Sequence, residues 1–115
     1  MRERKMTNDV HTVLIARNLD TETADRTLSE LTRLIDGGST TIVCDLSNTD
    51  YISSIGIGIL LTAYKKLKKA GGDLVLSSLK PRVLSAIGTT GLLGIFTIRG
   101  DAAPQDKTGT EKQAI

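Results

Sequence analysis

The chain has no tryptophan, one phenylalanine, two tyrosines, one histidine and one cysteine. Each scarcity excludes a class of function. A lone cysteine forbids an internal disulfide, so a cytoplasmic setting fits. One histidine, His11, and one cysteine, Cys44, cannot make a metal site of ordinary type. With aromatics at 3%, the stacking surface used by single-strand nucleic-acid binders is missing. A formal net charge of +2 is too small to argue for a duplex. No apolar run approaches the ~20 residues of a membrane span. The opening Met1-Arg2-Glu3-Arg4-Lys5-Met6 has no apolar stretch behind it and does not read as a secretory leader.

What is present is an aliphatic core. Hydrophobic residues make up 39% of 115 residues, enough for one domain built on Leu, Ile, Val and Ala. Val10 to Ile15 predicts a strand over 9–16, which Leu19-Asp20-Thr21 breaks. Ala24, Leu28, Leu31 and Leu34/Ile35 recur at helical spacing between Glu22 and Asp36. Asp20 or Thr21 can cap that helix, and Gly37-Gly38 ends it. Thr40 to Leu46 is β-branched and mostly apolar, which predicts a buried central strand, and 47–50 is a turn. A second helix over 54–70 stops at Gly71-Gly72, and Leu74-Val75-Leu76 is a third strand. Pro81 opens a short helix that Gly88 to Gly91 ends, and 95–98 is a last strand. Strands and helices alternating in this way imply a largely parallel sheet. With so few helices, one face of that sheet is left thinly covered or open to a partner.

The most informative turn is Tyr51-Ile52-Ser53-Ser54-Ile55-Gly56-Ile57-Gly58. Two serines sit where a strand gives way to a helix, at free N–H groups and the positive end of a helix dipole. They can cap the helix, bind a phosphate or accept one. At about 100° per residue, Gly56, Ile59, Leu60, Ala63, Tyr64 and Leu67 share a core face, widened by Ile57 and Leu61. Ile55, Gly58, Thr62, Lys66 and Lys69 fall on the other side, a partly apolar strip suited to docking. The alternative is that Ile55 folds back on the preceding loop as a staple.

Catalytic patterns are absent. Ile52-Ser53-Ser54-Ile55-Gly56 is not a G-x-S-x-G elbow, and no base lies near it in sequence. Gly88-Thr89-Thr90-Gly91-Leu92-Leu93-Gly94 lacks the Gly-Lys-Ser/Thr ending of a phosphate loop. Lys65-Lys66-Leu67-Lys68-Lys69 suits the negative end of a helix dipole and is the wet end of a helix. Cys44 is expected to be a small core residue. These features describe a binding module with no catalytic set and no metal.

Several ordered blocks carry a family resemblance: Ile42-Val43-Cys44-Asp45-Leu46-Ser47, the 51–58 turn, Gly71-Gly72-Asp73-Leu74-Val75-Leu76, Gly91-Leu92-Leu93-Gly94-Ile95-Phe96, and the earlier Leu19-Asp20. Together they resemble the STAS family of bacterial anti-sigma-factor antagonists over roughly 9–98. The resemblance implies a single STAS-like α/β domain, with a mostly parallel sheet of four to five strands and helices packed mainly on one face. It leaves 1–8 as a flexible start and 99–115 as a polar, disordered tail. It implies an anti-sigma-factor antagonist that regulates transcription by partner switching with an ATPase-type serine-kinase anti-sigma factor. No cofactor, small-molecule substrate, direct nucleic-acid contact or direct membrane contact is implied.

In the family the turn reads Asp-Ser-Ser-Gly, and phosphorylation of a serine there breaks the complex, since phosphate adds about −1.5 to −2 charges to a docking surface. Counting back from Gly56, Ser53 takes the Asp position, Ser54 the first Ser, and Ile55 the usual acceptor position. Ile55 cannot be phosphorylated, so either the switch has moved to Ser54 or Ser53, or the contact is unswitched. Ile55, Gly56, Gly58 and Thr62 are expected in the partner interface. Asp20 is expected to touch the partner or its nucleotide, or else to cap a helix. The rival role is that of a STAS subunit in an ABC-type lipid-transport system, or another non-phosphorylated STAS scaffold.

Overall fold

The computed structural model describes residues 10–99. In chain order the elements are β1 (Val10–Leu14), β2 (Asn18–Leu19), α1 (Thr21–Asp36), β3 (Thr41–Asp45), β4 (Tyr51–Ile52), α2 (Ser54–Lys69), β5 (Asp73–Ser77), α3 (Pro81–Thr89) and β6 (Thr97–Arg99). The main sheet is parallel throughout, in the order β1-β3-β5-β6, and β2 and β4 form a separate parallel pair.

The register sorts the sheet into two faces, because side chains in one cross-strand row point the same way. The row Val13–Cys44–Leu76–Ile98 and the row His11–Ile42–Leu74 face the helices. Ile42, Cys44, Leu74 and Leu76 are fully buried there. They share one core with Leu31 and Ile35 of α1, Leu60, Ala63 and Leu67 of α2, and Val83 and Ile87 of α3. All three helices therefore pack on one face, as expected. The opposite face carries Thr12–Val43–Val75–Thr97 between Val10 and Leu14. Val10 and Leu14 are exposed there, and Val43 and Val75 are buried without joining the helix-side core.

The helix ends follow their local chemistry. Gly71 takes φ +90°, a conformation side chains rarely adopt, and the N–H groups of Gly71 and Gly72 close the end of α2 on the carbonyls of Lys68 and Leu67. Pro81 opens α3 at its first turn, where its missing N–H costs nothing.

Four sequence expectations are corrected. β2 reaches into the expected break at Leu19, and β4 follows the 47–50 turn as a strand of its own; at two residues each they are too short to show any periodicity. β1 ends at Leu14, although the Ile15 N–H still reaches the Asp45 carbonyl at 3.0 Å. α3 runs through Gly88 to Thr89, because a glycine inside a helix weakens it without ending it. The last strand starts at Thr97 and includes Arg99, which pairs with Ser77 and so is not part of a loose tail. Residues 1–8 and 100–115, read as loose ends, lie outside the described residues.

Candidate functional site

The small β2–β4 pair places the two helix starts side by side. Leu19 is in register with Ile52, and the Ser53 N–H donates to the Leu19 carbonyl at 2.9 Å. The next residue on each strand is therefore a cap: Asp20 for α1 and Ser53 for α2. The Asp20 carboxylate accepts from the N–H groups of Glu22 (3.0 Å) and Thr23 (3.4 Å), while the Thr23 hydroxyl accepts from the Asp20 N–H at 3.1 Å. This reciprocal box satisfies donors that the first turn would leave unpaired. Of the two roles open to Asp20, the structure shows the capping one. Replacing Asp20 by alanine is expected to cost about 1 kcal/mol and to lower the melting temperature by roughly 4–8 °C. Asp20→Asn should retain most of that stability, and an unchanged Asp20→Ala melt would show that α1 is fixed by other contacts.

Ser53 and Ser54 differ sharply. The Ser53 hydroxyl accepts from the Gly56 N–H at 3.1 Å and donates to the Leu19 carbonyl at 3.4 Å, and the residue is half-buried. Ser54, the first residue of α2, is exposed. No acidic residue occupies the first turn of α2, so no side chain of that turn compensates its positive dipole end.

Along α2, Ile55 is 50% exposed, and Gly58 and Thr62 are exposed with it. Positions i, i+3 and i+7 make one stripe. Thr62 returns its hydroxyl to the Gly58 carbonyl at 3.0 Å. Ile55 thus keeps half of its surface in water, available for docking. Gly56 is different. It is buried, and a Cβ there would meet the Leu19 carbonyl oxygen at 2.4 Å. As a buried residue it offers a partner little surface of its own. It lets α2 press onto β2 from beneath, and the core periodicity that placed it among Ile59 and Leu60 was the better guide.

Sequence reasoning missed the hub behind this turn. The Asp50 carboxylate pairs with Lys80 Nζ and lies 3.4 Å from Arg17 Nε, joining the loops after β1, β3 and β5. The hydrogen bond from Lys80 holds the Asp50 carboxyl below its usual range, and the charges of Lys80, Arg17 and Arg82 act in the same direction. Buried Thr49 adds a tie by donating to the Ala16 carbonyl at 2.9 Å. These partners are 30 or more residues apart, so no local pattern could reveal them. Tyr51, 52% exposed, was also missed as a surface residue, though its alternation with Ile52 is the signal that places it outside. Cys44 is fully buried and burial pushes its thiol up to about 12, which makes it inert packing in β3.

The model of the STAS domain matches residues 2–103. The Bordetella bronchiseptica protein BtrV, assigned as an anti-sigma factor antagonist, is 39% identical over 75 residues, 65% of either chain. The anti-sigma-B factor antagonist of Bacillus subtilis is 33% identical over 91 residues, 79% of this chain and 82% of that one. The chain thus spans about two thirds of the first relative and four fifths of the second. Among solved structures, the anti-sigma factor antagonist SpoIIAA of Bacillus superposes with a TM-score of 0.72 at 20% identity, over 84% of each chain, in its unphosphorylated form. Its phosphorylated form gives 0.66 at 19%, over 84% of this chain and 86% of that one. A family-model match over residues 2–103, a relative 33% identical over 79% of this chain, and the superposition on SpoIIAA converge on one conclusion: the chain belongs to the STAS domain family.

Proposed function

We propose that this chain is an anti-sigma-factor antagonist that binds an anti-sigma factor and so frees a sigma factor. It acts by occupying a surface and carries out no reaction of its own. The observation that carries the reading is the stripe Ile55–Gly58–Thr62, exposed at the start of a helix in a STAS chain related to named antagonists. Gly58 supports it further. Among the described residues a Cβ at Gly58 would meet nothing within 4 Å, so none of them requires the glycine. A bare backbone patch in a helix costs about 1 kcal/mol against alanine, and close approach by a partner is a reason to tolerate that cost. Asp20 and Ser53 flank the stripe as the caps of α1 and α2, and Gly56 supports it from beneath.

The partner in this proposal is an ATPase-type serine-kinase anti-sigma factor, met in the cytoplasm. Of the two serines, Ser54 is the better acceptor, since its hydroxyl is exposed while that of Ser53 is held on both sides. Phosphate on Ser54 would sit at the positive end of α2, where it favours the helix. It would therefore break a complex by charge at the contact and leave α2 folded. With Ile55 at the usual acceptor position, the alternative is a contact that no phosphate regulates.

Affinity capture of the tagged chain from its native lysate, followed by mass spectrometry, tests the reading. Recovery of an ATPase-type serine kinase together with a sigma-factor pathway supports it. Recovery of transporter subunits would replace it with the scaffold role. Phosphate on Ser54 or Ser53 under some growth condition identifies a moved switch, and its absence from both under all conditions identifies an unswitched antagonist.

A further inference from the structure

The whole chain has three aromatic residues. Two of them, Tyr64 and Phe96, meet edge to face with centroids 5.8 Å apart and planes at 71°. Such pairs stabilise a core beyond their buried area. The third, Tyr51, turns outward and is 52% exposed. Among the described residues its hydroxyl takes no hydrogen bond.

Its position ties it to the docking stripe. Tyr51 lies on β4, opposite the buried Ile52 in the strand alternation, and exposed Asn18 is its partner in register on β2. Four residues later the chain presents Ile55. Only the cap Ser53 and exposed Ser54 separate the strand end from that first-turn apolar side chain. Ring and stripe thus leave the same turn.

The backbone under the ring is held from several sides. The N–H groups of Asp50 and Tyr51 donate to the Arg17 carbonyl at 2.8 and 3.3 Å. The Asp50 carboxylate is bridged by Lys80 and Arg17. The Ser53 N–H is bonded to Leu19. A tyrosine on a fixed strand has only two side-chain torsions left to order, so it offers a large contact area at low entropic cost. Tyrosine is enriched among the few residues that dominate binding energy.

We infer that Tyr51 is an aromatic anchor of the partner surface, which extends from the first turn of α2 across the outer side of β4 to Asn18. The occupant is the anti-sigma factor, and the inference rests on the partner-switching reading. The surface so drawn has an aromatic and an aliphatic anchor, Tyr51 and Ile55, and exposed Ser54 lies between them in the chain. A phosphate on Ser54 would therefore enter the middle of the contact, where exclusion of water makes charge most costly.

The test uses the anti-sigma factor recovered with the wild-type chain, purified and titrated calorimetrically against the full-length chain and its variants. Tyr51→Thr removes the ring and keeps a residue that favours strands. It is expected to bind about 30-fold more weakly or worse, with the urea midpoint unchanged. Tyr51→Phe should bind within about threefold of wild type, since the ring and not the hydroxyl makes the anchor. Val10→Ala, on the far face of the main sheet, should bind as wild type. Tyr51→Thr binding within threefold of wild type would overturn the anchor. A fall in its urea midpoint that accounts for the lost affinity would also overturn it, by making Tyr51 structural. Failure of the wild-type chain to recover any anti-sigma factor would instead overturn the partner-switching reading and remove the proposed occupant.

Discussion

Gly56→Ala is expected to destabilise the domain by about 2–3 kcal/mol, while Gly58→Ala, two residues along the same helix, is expected to stabilise it by about 0.5–1 kcal/mol. The opposite signs come from the space around each residue. A Cβ on Gly56 would stand 2.4 Å from the Leu19 carbonyl oxygen, 2.9 Å from Leu19 Cγ and 3.0 Å from Ile52 Cγ1. The nearest of these is backbone, and it already accepts from the N–H and the hydroxyl of Ser53. Moving it away strains the β2–β4 pair and the cap of α2 together. The helix propensity gained from alanine is about 1 kcal/mol, too little to offset overpacking at that distance. Out of a total stability of about 5–15 kcal/mol, the loss is a large fraction. At Gly58 nothing stands in the way, so alanine adds only its lower unfolded-state entropy. If the partner approaches the backbone there, Gly58→Ala also weakens the complex, and stability and affinity move in opposite directions. Urea unfolding of both variants, read at equal m-value, checks the first claim. A Gly56→Ala midpoint equal to wild type would show that α2 can shift off β2 freely.

How much of this was legible in the sequence depends on how local each feature is. α2 was readable because Ile59, Leu60, Ala63 and Leu67 repeat at helical spacing over 16 residues. The same projection left Ile55, Gly58 and Thr62 outside, where the structure has them. The caps were readable to within one residue, as Asp20 or Thr21 and as Ser53 or Ser54, because a cap is bonded to residues two or three positions away. The one-sided helix layer followed from counting helices against strands. What the sequence could not show is what distant segments do to each other. β2 and β4 are two residues each and exist because Leu19 and Ile52 meet across 33 positions. The Asp50–Lys80–Arg17 hub joins three loops that share no pattern. The packing of Gly56 depends on where Leu19 lies, so the motif alone could not show how tightly α2 sits on β2. The pairing of Arg99 with Ser77 depends on the end of β5, and local composition there read as tail.

Ile55→Asp is expected to reduce binding of the anti-sigma factor by about 30-fold or more while leaving the melting temperature equal to or slightly above that of wild type. Half of Ile55 is already in water, so its removal deletes little from the core. Its position, the second residue of α2, is one where a carboxylate is favoured, by about 0.3–1 kcal/mol at an exposed helix start. No acidic residue now occupies that turn, so the dipole interaction is unclaimed. Most substitutions that abolish binding also destabilise, and a loss of affinity then has two explanations. Here the physics of the free domain pushes stability up while the physics of the complex pushes affinity down. A carboxylate at the contact must be desolvated without a partner charge, and the apolar area of Ile55 is lost with it. Ile55→Ser separates the two contributions, because it removes the area without adding charge, and it should fall between wild type and Ile55→Asp. Calorimetric titration of the three proteins, with thermal melts alongside, checks the order. Equal affinity of Ile55→Asp and wild type would exclude this helix start from the contact. A lowered melting temperature would mean that Ile55 packs on the preceding loop after all, in the staple that the exposed side chain argues against.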